Sequence, residues 1–347
     1  MRRPEIRRWA AAATTHKATV PFCRVPVLAL VLVSSIGAAA PLDGQSREHG
    51  PVILELPAST SAMAMGGAFQ LTGGRSDAIF SNPALLADAS GFGLDGQTFD
   101  SKSNYLALSA VTEWWEGNVG VGLQTLSYST DGTSGGDVAS GETDLLIGGA
   151  LGSTEFVATI GYAQEVAGLE WGIAAKTVEH RLGGTKDVAL AADLGVSVEV
   201  GDIRVGLTAQ NLGSDLQVGG ASMDLAQRVT LGASGQGWQA GPFDLGASAA
   251  LSREADGTVI PALGGEIAWW PIRGRTFTGW IGVRRVEDGP ADEVTFGAAF
   301  HGDAFGVEYA YQGFDSLGGA HRLGISWRWS ARAPSAPPRS GLRSNPH

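Results

Sequence analysis

The groups in this 347-residue chain best suited to moving a proton or holding a metal near neutral pH are six histidines, His16, His49, His180, His301, His321 and His347. They stand singly. No His-x-x-x-His or His-Glu-x-x-His spacing sets two ligands on one helical face, and no Gly-x-x-x-x-Gly-Lys loop offers its amides to a phosphate. The lone cysteine, Cys23, can form neither an internal disulfide nor a two-thiolate metal site. The expectation is a protein that is not an enzyme, with no catalytic residues, no cofactor and no metal.

What chemistry remains is charge, and its spacing is that of strands. Val188, Leu190, Ala192, Leu194, Val196, Val198 and Val200 alternate with Asp187, Ala189, Ala191, Asp193, Gly195, Ser197 and Glu199. Successive side chains of a strand point to opposite faces. Ile203, Val205, Leu207 and Ala209 repeat the pattern against Arg204, Gly206, Thr208 and Gln210, after a Gly201-Asp202 hairpin signal. If the apolar sets meet lipid, then Asp187, Asp193, Glu199, Arg204, Glu308, Arg322 and Arg328 face a lumen. Such residues either neutralise one another as a structural network or line a selective pore.

The elements that would position these groups recur along the chain. Fifteen alternating segments lie near 91–99, 103–112, 117–128, 142–151, 154–166, 169–182, 187–200, 203–211, 226–235, 242–253, 258–270, 275–286, 292–301, 304–313 and 319–329. A bacterial single-chain barrel has an even strand number. The reading is therefore all-β, a closed antiparallel transmembrane barrel of about 14 strands, with one early segment not a strand. The last segment, 321–329, points Leu323, Ile325, Trp327 and Trp329 one way and Arg322, Gly324, Ser326 and Arg328 the other. Trp114, Trp115, Trp269, Trp270, Trp327 and Trp329 fall at or near strand ends, where amphipathic rings sit at a membrane interface.

Residues 1–40 read as an export signal: six basic groups, an apolar run over 25–36, then small residues, with cleavage between about 39 and 45. Its removal takes six basic groups and one acidic group, so the net charge goes from −11 to −16. That acidity argues against nucleic acid as a partner. Residues 51–90 break the alternation and read as a separate element with a short helix near 59–65. Residues 330–347, rich in Pro, Ser and Arg, read as a disordered tail.

Ala62-Met63-Ala64-Met65-Gly66-Gly67-Ala68, then Asp77-Ala78 and Ser81-Asn82-Pro83-Ala84-Leu85-Leu86, resemble the PorV/PorQ family of outer-membrane barrels, related to the FadL-type fatty-acid transporters. Ala192-Asp193-Leu194-Gly195, Gln210-Asn211-Leu212-Gly213 and the closing strand extend the likeness over about residues 52–329. The resemblance implies a barrel whose N-terminal segment enters the lumen as a plug, with Gly66, Gly67, Asp77, Asn82, Pro83 and Ala84 as its motif. Pro83 disfavours helix at Asn82, whose amide is free to bond nearby backbone. The closing strand, with Gly324, Trp327 and Trp329, resembles the signal read by the barrel-assembly machinery, except that the chain continues past it.

Two functions follow as expectations for a bacterial outer-membrane protein whose partners include outer-membrane lipid. In one, PorV/PorQ-like, the barrel serves protein secretion or surface attachment through contacts with cargo proteins. In the other, FadL-like, it passes long-chain fatty acids or other hydrophobic solutes. About 17 residues per strand and connection leave little for long loops, and the connections near 129–141 and 212–225 hold few acyl-chain anchors, which favours the first.

Overall fold

A computed structural model describes residues 50–68, 74–99, 103–129, 152–182, 184–218, 221–272, 274–285, 291–314 and 318–329. The leader over 1–40, the segment 142–151 and the tail 330–347 lie outside the described residues.

The strands are β1 (Gly91–Thr98), β2 (Ser103–Trp114), β3 (Gly117–Ser129), β4 (Gly152–Val166), β5 (Leu169–Leu182), β6 (Thr185–Val200) and β7 (Ile203–Gly213). A small hairpin, β8 (Leu216–Val218) and β9 (Ala221–Met223), precedes β10 (Arg228–Ala240), β11 (Phe243–Glu254) and β12 (Val259–Ile272). The chain ends its sheet with β13 (Arg275–Arg284), β14 (Ala291–His301), β15 (Phe305–Phe314) and β16 (Gly318–Trp327). All but β8 and β9 form one closed barrel of fourteen antiparallel strands, in chain order, with β10 following β7. Fourteen of the fifteen segments read from the sequence coincide with the fourteen barrel strands; the remaining one, 142–151, lies outside the described residues.

β16 is the closing strand. It pairs with β15 and also with β1, Phe92 against Trp327 and Gln97 against Arg322. Closure leaves no unpaired edge, which is what a sheet surrounded by hydrocarbon requires. The faces alternate as the sequence pattern demands: Leu323, Ile325 and Trp327 are exposed outward, while Arg322 is fully buried.

The barrel's two rims differ. At one, connections are two or three residues long, such as Ala167-Gly168, both at positive φ, and Gly201-Asp202, with φ +65° at Gly201. At the other, connections are mostly longer and include residues 130–151 and 214–227. Short periplasmic turns and longer outer loops are the rule for such barrels, so we call these the turn rim and the loop rim. Eight of the nine tryptophans beyond residue 40 lie at or beside the turn rim: Trp114, Trp115, Trp171, Trp238, Trp269, Trp270, Trp327 and Trp329. Ring contacts link several of them, from Trp115 through Trp114 and Tyr162 to Trp171, and from Trp269 through Phe277 and Phe300 to Phe305. The ninth, Trp280, is mid-strand and buried on the inward face.

The apolar core lies inside the barrel. Ile53, Ile79, Phe80, Leu85 and Leu86, all preceding β1, pack against Val111, Val157 and Val178 on inward strand faces.

Candidate functional site

The described residues of 50–90 form one short helix, α1 (Thr60–Ala64), and three 3-10 turns, Val52–Leu54, Ser76–Phe80 and Pro83–Asp88. So irregular a stretch satisfies few of its own backbone groups, and those groups need partners when buried. Inward strand side chains supply them. Asn118 Nδ2 donates to the carbonyls of Leu86 (2.7 Å), Ala87 (2.9 Å) and Ala89 (3.1 Å), and Gln210 Nε2 to that of Phe80 (2.8 Å). Glu155 accepts from the Ile53 amide at 2.7 Å, and Thr295 donates to the Ala64 carbonyl at 3.0 Å.

Two arginines make the strongest links. Arg322 donates from Nη1 to the carbonyls of Pro57 and Ser59 and from Nε to Gln97 Oε1 (2.6 Å), with its guanidinium 4.6 Å from the Tyr105 ring centroid. Beside it, Asp95 accepts from the amide (2.7 Å) and hydroxyl (2.6 Å) of Thr60. Arg75, from the enclosed segment, pairs with Asp77 (2.8 Å) and with Glu308 on β15 (2.5 Å), a carboxylate that His301 also approaches at 3.2 Å. Charge-assisted bonds of this kind are about twice as strong as neutral ones.

The Asn82-Pro83 turn shows why small residues line the wall. Asn82 Oδ1 caps the Pro83–Asp88 turn by accepting from the Ala84 amide (3.0 Å), and its Nδ2 donates to the Val196 carbonyl (3.4 Å). A Cβ at Gly195 would strike the Asn82 side chain, and one at Gly172 the Pro83 backbone. At the opposite wall Gly66, at φ +66°, lies against Gly282, where a Cβ would meet its amide. Gly67 is likewise at positive φ and exposed, and Pro83 and Ala84 are buried.

The charged residues read from the β alternation fall at three levels. Asp193 is fully buried, paired with Lys176 at 2.6 Å and accepting from the Asn211 amide at 2.8 Å. Glu308 and Arg322 hold the enclosed segment as described. Arg204, near the turn rim, pairs with Asp88 (2.6 Å), Glu170 (3.2 Å) and Glu199. Asp187, Glu199 and Arg328 keep the inward parity but sit at the rims: Asp187 accepts from the Gln217 amide, Glu199 is 64% exposed, and Arg328 is half-buried just past β16. Gly324 packs close to Thr60, while Trp327 and Trp329 are exposed on the lipid face.

Other inward groups escaped the sequence reading. Asp95, Gln97, Glu155 and Lys176 obey the same alternation within β1, β4 and β5 and were recoverable from parity alone. Arg75 was not, because it stands in an aperiodic stretch. The connection over 212–225, expected to hold few acyl-chain anchors, carries two leucines, Leu216 and Leu225, that are buried in the apolar core.

On one side the fit between segment and wall is incomplete. A cavity of about 110 Å³ remains there. The segment contributes its apolar lining, including Leu54, Leu56, Ala58 and Phe80. The loop-side ends of β10–β13 contribute Arg228, Thr230, Ser252, Ile260, Ala262 and Arg284. The lining is mixed: the segment also presents Glu55, Arg75 and Asp77, and Gln124 on β3, Lys176 on β5 and Gln210 on β7 complete the wall. Among the described residues no group of three or more His, Cys, Asp or Glu is placed to hold a metal ion.

No family model and no curated protein sequence matches the chain. Solved structures do. The Ralstonia pickettii toluene transporter TbuX aligns with TM-score 0.50 at 14% identity, over 78% of this chain and 98% of its own. The Pseudomonas putida toluene transporter TodX aligns with TM-score 0.50 at 16% identity, over 76% and 95%. Its deltaS2S3 mutant, described as a monoaromatic hydrocarbon channel, gives 0.51 at 15%, over 78% and 98%. At such identities the likeness is one of fold, a closed antiparallel β-barrel, and a barrel of this kind implies the bacterial outer membrane as its location.

Proposed function

We propose that the chain is a passive outer-membrane channel for small hydrophobic solutes, with residues 51–90 as its plug. The carrying observation is the cavity of about 110 Å³ between the plug and the loop-side ends of β10–β13, lined by apolar groups such as Leu54, Leu56, Phe80 and Ile260 together with charged ones. An engineered cavity of about 150 Å³ accommodates benzene, so by volume this one approaches the size of a single ring and is far too small for an extended acyl chain. Support therefore moves from the secretion reading toward the solute reading, and within it from long-chain fatty acids toward compact solutes. The fold shared with toluene transporters points the same way. On this reading export depends on the leader over 1–40, the barrel-assembly machinery reads Gly324, Trp327 and Trp329, and the chain conducts without catalysing.

Uptake of radiolabelled toluene by proteoliposomes tests the reading. Entry faster than into empty vesicles, and slowed when the cavity is filled, is the expected result. Equal entry, together with secreted proteins that co-purify with the barrel and lose surface attachment when it is deleted, would restore the secretion reading.

A further inference from the structure

A second site lies on the outer wall of the barrel, away from the plug. Arg181 and Lys186 are direct partners in the β5–β6 register, close to the loop rim. Both stand on the lipid-facing side, in line with exposed Ile173 on β5 and with Val188 and Leu190 on β6, while their neighbour His180 is buried on the inward side. Like charges placed directly opposite repel each other, so this juxtaposition costs stability unless something neutralises it. A single carboxylate does so in part: Glu179 takes Arg181 Nε at 2.5 Å and Lys186 Nζ at 2.7 Å. Two cations then share one anion. Both cations remain 50% exposed, and each carries donors beyond the one engaged by Glu179.

The surroundings say what would complete the site. Tryptophan, which anchors barrels at an interface, gathers at the turn rim; none of the nine beyond residue 40 lies at the loop rim. The chain beyond residue 40 is strongly acidic, so an excess of cation here is not a by-product of composition. Directly below the pair, toward mid-barrel, the wall is apolar, with Val188 and Leu190 nearly half to two-thirds exposed. A ligand seated here needs a phosphate at the level of Arg181 and Lys186 and acyl chains beneath it. We infer that Arg181 and Lys186 bind a phosphate of the phosphorylated glycolipid in the outer leaflet, with its acyl chains along the Val188–Leu190 face. The inference rests on the barrel and its orientation, and stands whether or not solute passes through the lumen.

Native mass spectrometry of the full-length mature barrel in detergent tests it, with bis-phosphorylated lipid A, its dephosphorylated form and inorganic phosphate as probes. Phosphorylated lipid A is expected to bind the unaltered protein about thirtyfold more tightly than R181Q/K186Q, as two cations at an anionic lipid surface predict. R181K/K186R is expected to retain most of that affinity, and R275Q, an exposed cation at the turn rim, all of it. Because the altered side chains are exposed, heat-modifiable migration should be unchanged and reports that the barrel is intact. Equal binding of phosphorylated and dephosphorylated lipid, an equal loss in R275Q, or displacement of lipid by millimolar inorganic phosphate would each overturn the inference.

Discussion

The enclosed segment is held differently on its two sides. Along β14–β16 and β1–β6 the wall offers a glycine, an amide or a guanidinium wherever the segment comes close: Gly172 and Gly195 under the Asn82-Pro83 turn, Asn118 on three consecutive-turn carbonyls, Arg322 on Pro57 and Ser59. Along the loop-side ends of β10–β13 it offers Arg228, Thr230, Ser252, Ala262 and Arg284 across a gap of about 110 Å³, whose far end reaches Gln124, Lys176 and Gln210. Fixed partners give a held side, and long or small side chains that do not reach give an open one. On the proposed reading, solute skirts the plug along the open side while the held side keeps it in place.

The comparison predicts very unequal responses to substitution. Arg322→Met should have the largest effect, because it strands the Pro57 and Ser59 carbonyls and Gln97 without their charged donor inside the barrel. A cost of the order of 3 kcal/mol is expected, felt as release of residues 52–68 rather than loss of the barrel. Hydrogen exchange should show those amides deprotected while β1–β16 stay protected. Uniform protection would mean that the held side is not held by Arg322.

Gly172→Val comes next. Its side chain has to displace the Pro83 backbone, an overpacking cost of about 1–3 kcal/mol. The expected outcome is a lower temperature for heat-modified migration and faster leakage of small solutes through proteoliposomes. Asn82→Ala is milder: it removes one cap bond to the Ala84 amide and a long bond to the Val196 carbonyl, about 1 kcal/mol together. Unchanged heat resistance combined with unchanged leakage in this variant would count against any anchoring role for the turn.

How far this asymmetry was legible in the sequence depends on the physics of each link. The period of two in 187–200 is rigid, so it placed Asp193 inward and Leu194 outward without any knowledge of partners. The same period is blind to distance. Arg75 and Glu308 are 233 positions apart, and no local pattern says that a residue of the enclosed segment and a β15 residue meet. Nor does alternation reveal that Leu216 and Leu225, in a connection rich in Gly and Asp, turn inward to the core. Nor does alternation give strand order: a barrel strand also needs two neighbours, and β3 pairs directly with β4.

The smallest effect on stability, and the sharpest test of the comparison, belongs to Ala262→Leu. Ala262 is buried beside the cavity on the open side, so the added carbons enter empty space rather than a packed contact. A stability change within about 1 kcal/mol is expected, since filling a void restores contacts that the lining lacks. Toluene uptake should nevertheless fall, because the gap that remains can no longer take a ring. A Gly172→Val barrel should behave in the opposite way, destabilised and leakier. If Ala262→Leu were destabilised as much as Gly172→Val while uptake stayed unchanged, the two sides would be equally packed and the route would lie elsewhere.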